Sequence, residues 1–284
     1  MKRTAIFTAL IAATAWASAQ STVTLFGVVD TNLARGSGSV SGKTQVGSGG
    51  NSTSRVGFRG TENLGGGMSA SFWLEAGLTT DNGSGQVTNT NNQASGGGAA
   101  GGLAFGRRST VSLLGPWGEV RAGRDHVAHY RNRLEVDPFA SVGVGTIQPQ
   151  AGTLGGNTST RVSNFVGYYL PSGLGGFYGF GQYYFGENPG NGAATEDDGT
   201  GASVRLGYAA GPLNVSVATG RTEYARTAAT GDITSSNIGI QYKLGPADIL
   251  LGYFSDKVEA LTPFTGRGAS LGTVVNVGSG QIKA

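Results

Sequence analysis

Residues 54–78 read SRVGFRGTENLGGGMSASFWLEAGL, and the second half of this stretch alternates between two kinds of side chain. Every second residue from Met68 to Leu78 is apolar. The intervening positions, like alternate positions just upstream, are mostly polar or charged: Arg55, Arg59, Ser69, Ser71 and Glu75. A period of two predicts strands with two unlike faces. Two adjoining strands therefore carry charges on one face and an apolar row on the other.

The same alternation recurs along the chain, whereas helical periodicity is weak. It predicts twelve strands, at about 22–34, 52–61, 67–78, 103–113, 118–124, 161–170, 175–186, 202–209, 212–223, 233–243, 247–256 and 268–277. Short turns rich in glycine and proline alternate with long polar connections at 35–50, 79–102, 125–160, 187–201 and 224–232. Tight turns at one end and long loops at the other are typical of outer-membrane β-barrels.

The N-terminus predicts export from the cytoplasm. Residues 1–19 combine the basic start Met1-Lys2-Arg3, an apolar segment and the small-residue site Ala17-Ser18-Ala19, as in a secretory signal peptide. Without Lys2 and Arg3 the chain is almost neutral, which argues against nucleic-acid binding through a basic face. The chain has no cysteine, so no disulfide can hold an exported fold together.

The composition separates a membrane barrel from other all-β folds. The 52 glycines are accompanied by 12 Phe and 10 Tyr, which favours many short strands over disorder. The polar strand faces are rich in glycine and serine, which can line a wide wet interior. Aromatic residues near strand ends predict girdles at the membrane interfaces: Phe26, Phe58, Phe72, Tyr168, Tyr208, Tyr242 and Tyr253. On these residues alone, a secreted sandwich or lectin-like fold remains the alternative.

Four long motifs carry a resemblance to a known family. Residues 52–77, STSRVGFRGTENLGGGMSASFWLEAG, resemble the second hairpin of the general porins of beta-proteobacteria. QSTVTLFGVVDTNLA (20–34) is similar to their first strand, and LAFGRRSTVSLLGPWGEVRAGRD (103–125) to their next hairpin. RVSNFVGYYLPSGLGGFYGFGQYYFGE (161–187) is similar to the hairpin after that. The resemblance covers nearly all of residues 20–284.

This resemblance implies an antiparallel transmembrane β-barrel of sixteen strands, with a long third loop folded into the lumen, here residues 125–160. It implies a homotrimer that forms water-filled channels for passive diffusion of small hydrophilic solutes. The implied partners are outer-membrane lipid and lipopolysaccharide, periplasmic chaperones and the barrel-assembly machinery. Because the chain ends GSGQIKA rather than in an aromatic residue, we expect about four closing strands to be missing. An open sheet edge in lipid would leave backbone groups unpaired.

The resemblance is strongest to anion-selective members, whose constriction carries arginines, and it implies a basic wall here of Arg55, Arg107, Arg108 and Arg161, to which strand alternation adds Arg59. Alternation independently places Arg55, Arg59 and Arg161 on the water-facing side. In the fourth strand alternation favours Arg108 and the resemblance favours Arg107, so both remain candidates. We expect acidic residues to face this wall: Glu75, Asp125, Glu135 and Asp137. These acids could instead anchor the loop, and the arginines could be ordinary solvated lumen residues.

Other functions find less support in the sequence. An outer-membrane hydrolase would need a base, and the two histidines, His126 and His129, both begin the long loop. Their spacing alone does not make a metal site, and no cofactor is expected. Glycine runs such as 96–98 lack the Lys-Ser/Thr partner of a phosphate-binding loop. A solute-specific channel remains the alternative to an open, non-enzymatic pore.

Overall fold

The computed structural model describes residues 22–37, 42–98, 102–143, 145–147 and 158–284. The predicted signal peptide, residues 1–19, lies outside these ranges. Within them, no helix has the length and apolar character needed to cross a bilayer. One α-helix, α1 (Ala128–Val136), and a short 3-10 turn at Ala94–Gly96 accompany the strands.

The described residues form fifteen strands. They are β1 (Thr22–Val28), β2 (Thr31–Gly36), β3 (Lys43–Ser48), β4 (Arg55–Gly65), β5 (Met68–Gly77), β6 (Arg108–Gly115), β7 (Gly118–His126), β8 (Arg161–Tyr169), β9 (Phe177–Tyr184), β10 (Gly201–Ala210), β11 (Leu213–Thr222), β12 (Ile233–Leu244), β13 (Ala247–Val258), β14 (Phe264–Val277) and β15 (Gly280–Lys283).

Thirteen of these strands form one antiparallel sheet in chain order, from β1 through β4 to β15. The all-β antiparallel prediction is thus confirmed. The sheet has one strand more than the twelve predicted, because residues 280–283 pair with the end of β14. Strands β2 and β3 form a separate hairpin within the first long connection.

The predicted strand 22–34 is correct for residues 22–28 but not beyond them, because the chain leaves the sheet after Val28 and residues 31–36 form β2 in a separate hairpin. The carboxylate of Asp30 accepts hydrogen bonds from the backbone N–H groups of Gly50, Asn51 and Ser52 at 2.8, 3.0 and 2.8 Å. These bonds hold the pKa of Asp30 below its ordinary value. They also tie residue 30 to the chain returning from the hairpin, which interrupts the strand between β1 and β2.

Side chains alternate across the sheet as an outward apolar face and an inward polar face. In β6, Val111 is 66% exposed and its neighbour Thr110 only 3%, the reverse of a soluble protein. In residues 68–78 the apolar row has the same outward parity, although Ala76 in this row is fully buried, and Trp73 and Glu75 have the inward parity. This arrangement is the one that a channel in lipid requires.

One predicted outward aromatic residue is misassigned. Phe26 shares the inner face because Val23 and Leu25, with the opposite parity in β1, are exposed. Its ring lies over Gly57 and meets Trp73 edge-on, with ring centroids 5.1 Å apart. Phe58, Tyr168, Tyr208, Tyr242 and Tyr253 are outward and exposed, as expected.

The long connection after β7 runs inside the curved sheet. Val127, just before α1, is fully buried with Val162, Phe165 and Tyr184. From there α1 packs against the inner faces of β10 to β13. The predicted folding of this loop into the lumen is observed for its described residues.

Candidate functional site

Two cavities lie on the inner face of the sheet and share several lining residues. The loop-side cavity, of about 850 Å³, reaches Asn51–Thr53 in the first long connection. The turn-side cavity, of about 570 Å³, reaches Tyr169 and Leu170 at the opposite strand ends. Six residues line both cavities and define the neck: Trp73, Glu75, Arg107, His126, Arg131 and Arg161.

The neck is basic. Arg107 is held by Glu75, with Nε and Oε1 2.6 Å apart, and Arg55 approaches the same oxygen at 3.7 Å. Arg161 donates from Nε to the backbone oxygen of Arg107 at 2.8 Å. Among the described residues no carboxylate lies within 4 Å of the Arg161 guanidinium, so its charge is not neutralised by a direct ion pair.

Arg107 and Arg108 both line the turn-side cavity. Arg108 is the first residue of β6 and follows the strand alternation. Arg107 precedes the strand, so the alternation does not apply to it, and it turns inward to Glu75. We call the inner faces of β4 to β8, with these arginines, the arginine wall.

The arginine wall also carries charges that the sequence analysis did not single out. Arg121 in β7 bonds Glu119 at 2.7 Å and Asp125 at 2.8 Å, and Asp125 also lies 3.3 Å from Arg108. Asp125 was assigned to the loop, but β7 extends through it to His126. Glu119 and Arg121 alternate with the apolar residues Val120 and Ala122, and this pattern would have predicted that both charged side chains face the lumen.

The opposite side of the lumen, formed by β10 to β13 with α1 bound to it, is called the clamp wall. Arg205 of β10 donates to Asn132 Oδ1 at 2.8 Å and pairs with Glu135, both on α1. Asn132 Nδ2 donates to Asn237 Oδ1 at 2.8 Å. Arg133 is buried against Asp256, 3.5 Å away. These contacts fix the helix to β10, β12 and β13.

The helix also points one arginine into the neck. Arg131 is half exposed and lies 3.8 Å from Glu135, one helical turn along α1. It lines both cavities together with the wall residues Arg107 and Arg161. Sequence reasoning did not identify Arg131, because its inward position depends on where the helix binds.

The predicted acidic residues divide into two groups. Glu75, Asp125 and Glu135 line the cavities and pair with arginines. The structure does not bring Asp137 to them: it is buried after α1 and accepts bonds from the N–H groups of Phe139, Ser141 and Ile147 and the hydroxyl of Thr146. Asp137 thus holds the bend of the loop and does not face the arginine wall.

The two histidines lie on either side of the junction between β7 and α1: His126 ends the strand and His129 is the second residue of the helix. His126 is in the neck, its ring centroid 5.0 Å from that of Tyr130. His129 is buried beneath the inner face of the sheet. The described residues contain no cluster of three or more His, Cys, Asp or Glu that could hold a metal ion.

Comparison with known proteins agrees with this architecture. A family model described as Gram-negative porin matches residues 7–284. The chain belongs to the Gram-negative porins. Outer membrane porin protein 32 of Delftia acidovorans is 39% identical to this porin over 258 residues, which cover 88% of this chain and 68% of that protein. An outer membrane porin of Bordetella pertussis is 30% identical over 283 residues, with coverage of 89% and 69%.

A solved structure gives the same assignment. The anion-selective porin from Comamonas acidovorans superposes with a TM-score of 0.79 and 32% sequence identity, covering 93% of this porin and 77% of that chain. The protein is therefore an outer-membrane porin, and its lumen is a water-filled channel for passive diffusion. The two cavities and their neck lie along that channel.

Proposed function

We propose that this porin passes small anions in preference to cations, and that the selection takes place at the neck. The observation that supports this is the local excess of arginine. Six arginines and three carboxylates line the turn-side cavity, and five arginines and two carboxylates line the loop-side cavity. Among the six residues of the neck, three are arginines, Arg107, Arg131 and Arg161, and one is a carboxylate, Glu75.

Electrostatics explains why a few arginines suffice in a nearly neutral chain. Charges in water lose most of their influence beyond a Debye length of about 8 Å at physiological salt. A narrow passage with low-dielectric walls keeps a solute within this distance and focuses the field. Rings of arginine or lysine select anions in pores on this basis.

The neck receives its charge from two sides. Arg107 and Arg161 project from the arginine wall, whereas Arg131 projects from α1 on the clamp wall. An anion in transit is thus attracted from both sides at once. The relative from Comamonas acidovorans, which is described as anion-selective, supports this proposal but does not assign the residues.

The resemblance and the family also support an assembly and a route for this porin. We infer a homotrimer in contact with outer-membrane lipid and lipopolysaccharide. Residues 1–19 direct export and are removed, and periplasmic chaperones pass the chain to the barrel-assembly machinery. Cross-linking of the purified porin in detergent would show a trimer band if this assembly is correct.

A charge-reversal experiment tests the selection at the neck. Purified porin is inserted into a planar bilayer, and the reversal potential is measured across a KCl gradient. We expect wild-type porin to prefer chloride and Arg161→Glu to shift the reversal potential toward potassium. Arg35→Glu makes the same change on the β2–β3 hairpin, outside both cavities, and should leave the reversal potential unchanged.

Two results would contradict the proposal. A wild-type channel without preference for chloride would remove anion selectivity. An equal shift in both variants would show that the whole surface charge, and not the neck, determines the ratio of permeabilities.

A further inference from the structure

The side chain of Trp73 contacts three charged residues of the arginine wall: Arg59, Arg108 and Glu75. It lies on the inner face of β5 and lines both cavities. The carbon between the guanidinium nitrogens is 5.2 Å from its ring centroid for Arg59 and 4.6 Å for Arg108. Cations near the face of an indole ring are attracted by its quadrupole, and tryptophan is the strongest such partner. The ring therefore supports two of the five predicted basic residues directly.

The indole N–H of Trp73 contacts a third residue of the wall, Glu75. Trp73 Nε1 donates to Glu75 Oε2 at 3.1 Å, and the other oxygen of Glu75 receives Arg107 and faces Arg55. The N–H thus fixes which carboxylate oxygen is left for the arginines. It also offsets part of the one negative charge at the neck, since a donor stabilises the ionised carboxylate.

Arg59 shows why this support matters. It forms no ion pair with any other described residue, and its contacts are the rings of Phe26 at 5.4 Å and Trp73 at 5.2 Å. Phe26 in turn meets Trp73 edge-on. Among the described residues, this partly solvated guanidinium is contacted by aromatic rings and not by a counter-charge.

We propose that Trp73 is the positioning residue of the arginine wall, and that it determines how much of the arginine charge reaches a solute. The ring supports Arg59 and Arg108, and the N–H restrains Glu75. This proposal rests on the anion preference proposed above and adds a residue that carries no charge. Its two contributions, the ring and the N–H, can be separated by mutation.

The N–H contribution is tested by a double-mutant cycle on the ratio of chloride to potassium permeability. Trp73→Phe keeps an aromatic ring but removes the donor, and we expect the ratio to fall by about half as Glu75 becomes less neutralised. Glu75→Gln should raise the ratio. In the Glu75→Gln background, Trp73→Phe should have almost no further effect, because the carboxylate on which the N–H acts is absent.

The ring contribution is tested by Trp73→Leu in both backgrounds. We expect a larger fall than for Trp73→Phe, and it should persist with Glu75→Gln, because Arg59 and Arg108 lose their support whatever residue 75 carries. Trp117→Phe, in the turn between β6 and β7 and outside both cavities, is the matched control and should leave the ratio unchanged.

The cycle can overturn the proposal. An unchanged ratio in Trp73→Phe, or an equal fall in both backgrounds, would show that the N–H does not act through Glu75. A Leu variant no different from Phe would remove the role of the ring. If wild type shows no anion preference, the function proposed above fails, but the coupling between positions 73 and 75 is still decided by the same four channels.

Discussion

The arginine wall and the clamp wall follow the same strand alternation, yet they use their inward polar residues differently. On the arginine wall the side chains of Arg55 and Arg108 are 28% and 22% exposed and face the lumen. On the clamp wall those of Arg205 and Asp256 are 5% and 2% exposed, because they are covered by α1. Alternation determines which face a residue is on, but the loop decides whether it meets water or protein.

This difference assigns the walls separate roles. The clamp wall holds the helix through buried polar contacts, which are costly to break because a lone buried polar group loses both water and partner. On the arginine wall Arg55 and Arg108 keep part of their side chains in water, where single ion pairs contribute less to stability. Mutations on the clamp wall should therefore affect stability first, and mutations on the arginine wall should affect selectivity first.

The largest effect is expected for Asp256→Ala. Arg133 would remain buried without its partner, which typically costs about 3–5 kcal/mol. We expect the free energy of unfolding in detergent to fall by this order, and the conductance to rise and fluctuate as α1 leaves the wall. Ser255→Ala, at the preceding residue on the outer face, is the control. Unchanged unfolding of Asp256→Ala would mean that the walls do not differ as described.

A smaller loss is expected for Asn237→Ala on the same wall. The amide of Asn237 accepts from Asn132 Nδ2 and donates to the backbone oxygen of His129, both at 2.8 Å. Its removal leaves buried groups without partners, at a cost of about 1–3 kcal/mol. Ser236→Ala is one residue away but points outward, where its hydroxyl bonds Thr219 on the exposed surface. Equal destabilisation by the two variants would contradict a specific clamp.

The two walls also show how far the sequence can predict this molecule. The alternation in residues 54–78 was enough to place Arg55, Trp73 and Glu75 on the inner face, because a strand period of two is a local property. It could not place Arg107, which precedes β6, or separate Asp125 from the loop, because both depend on where a strand begins or ends.

Residues of the long loop could not be placed for a different reason. Arg131 and Glu135 belong to a helix whose orientation is determined by contacts with β10, β12 and β13, about 70 to 120 positions away in the sequence. The same holds for Asp30, whose partners at residues 50–52 interrupt a strand that local alternation predicts to continue. Contacts between distant segments override local preference at these positions.

Arg131→Gln tests whether selectivity and stability can be separated on the clamp wall, because Arg131 lies on α1 but faces the neck. Its side chain is 51% exposed, and its pair with Glu135 spans 3.8 Å on one helix face, so we expect the free energy of unfolding to change by no more than about 0.5 kcal/mol. The preference for chloride should nevertheless fall. Arg226→Gln, similarly exposed but outside both cavities, should leave the reversal potential unchanged. A large loss of stability in Arg131→Gln would place this residue in the clamp instead.

The smallest effect is expected at Asp30, outside both walls. Three backbone N–H groups lower its pKa in the folded protein, so the ionised form stabilises the junction with the β2–β3 hairpin. A lowered folded pKa means that this stabilisation is fully present above the unfolded value of about 3.9 and is lost as the pH falls below it. Hydrogen exchange at residues 43–52 should therefore accelerate below that pH in wild type. In Asp30→Asn, which has no carboxylate to titrate, exchange should already be faster at neutral pH and gain no further acid dependence from this site. A wild-type hairpin whose exchange, corrected for the intrinsic pH dependence of the amides, stays constant through this range would show that Asp30 does not hold the junction.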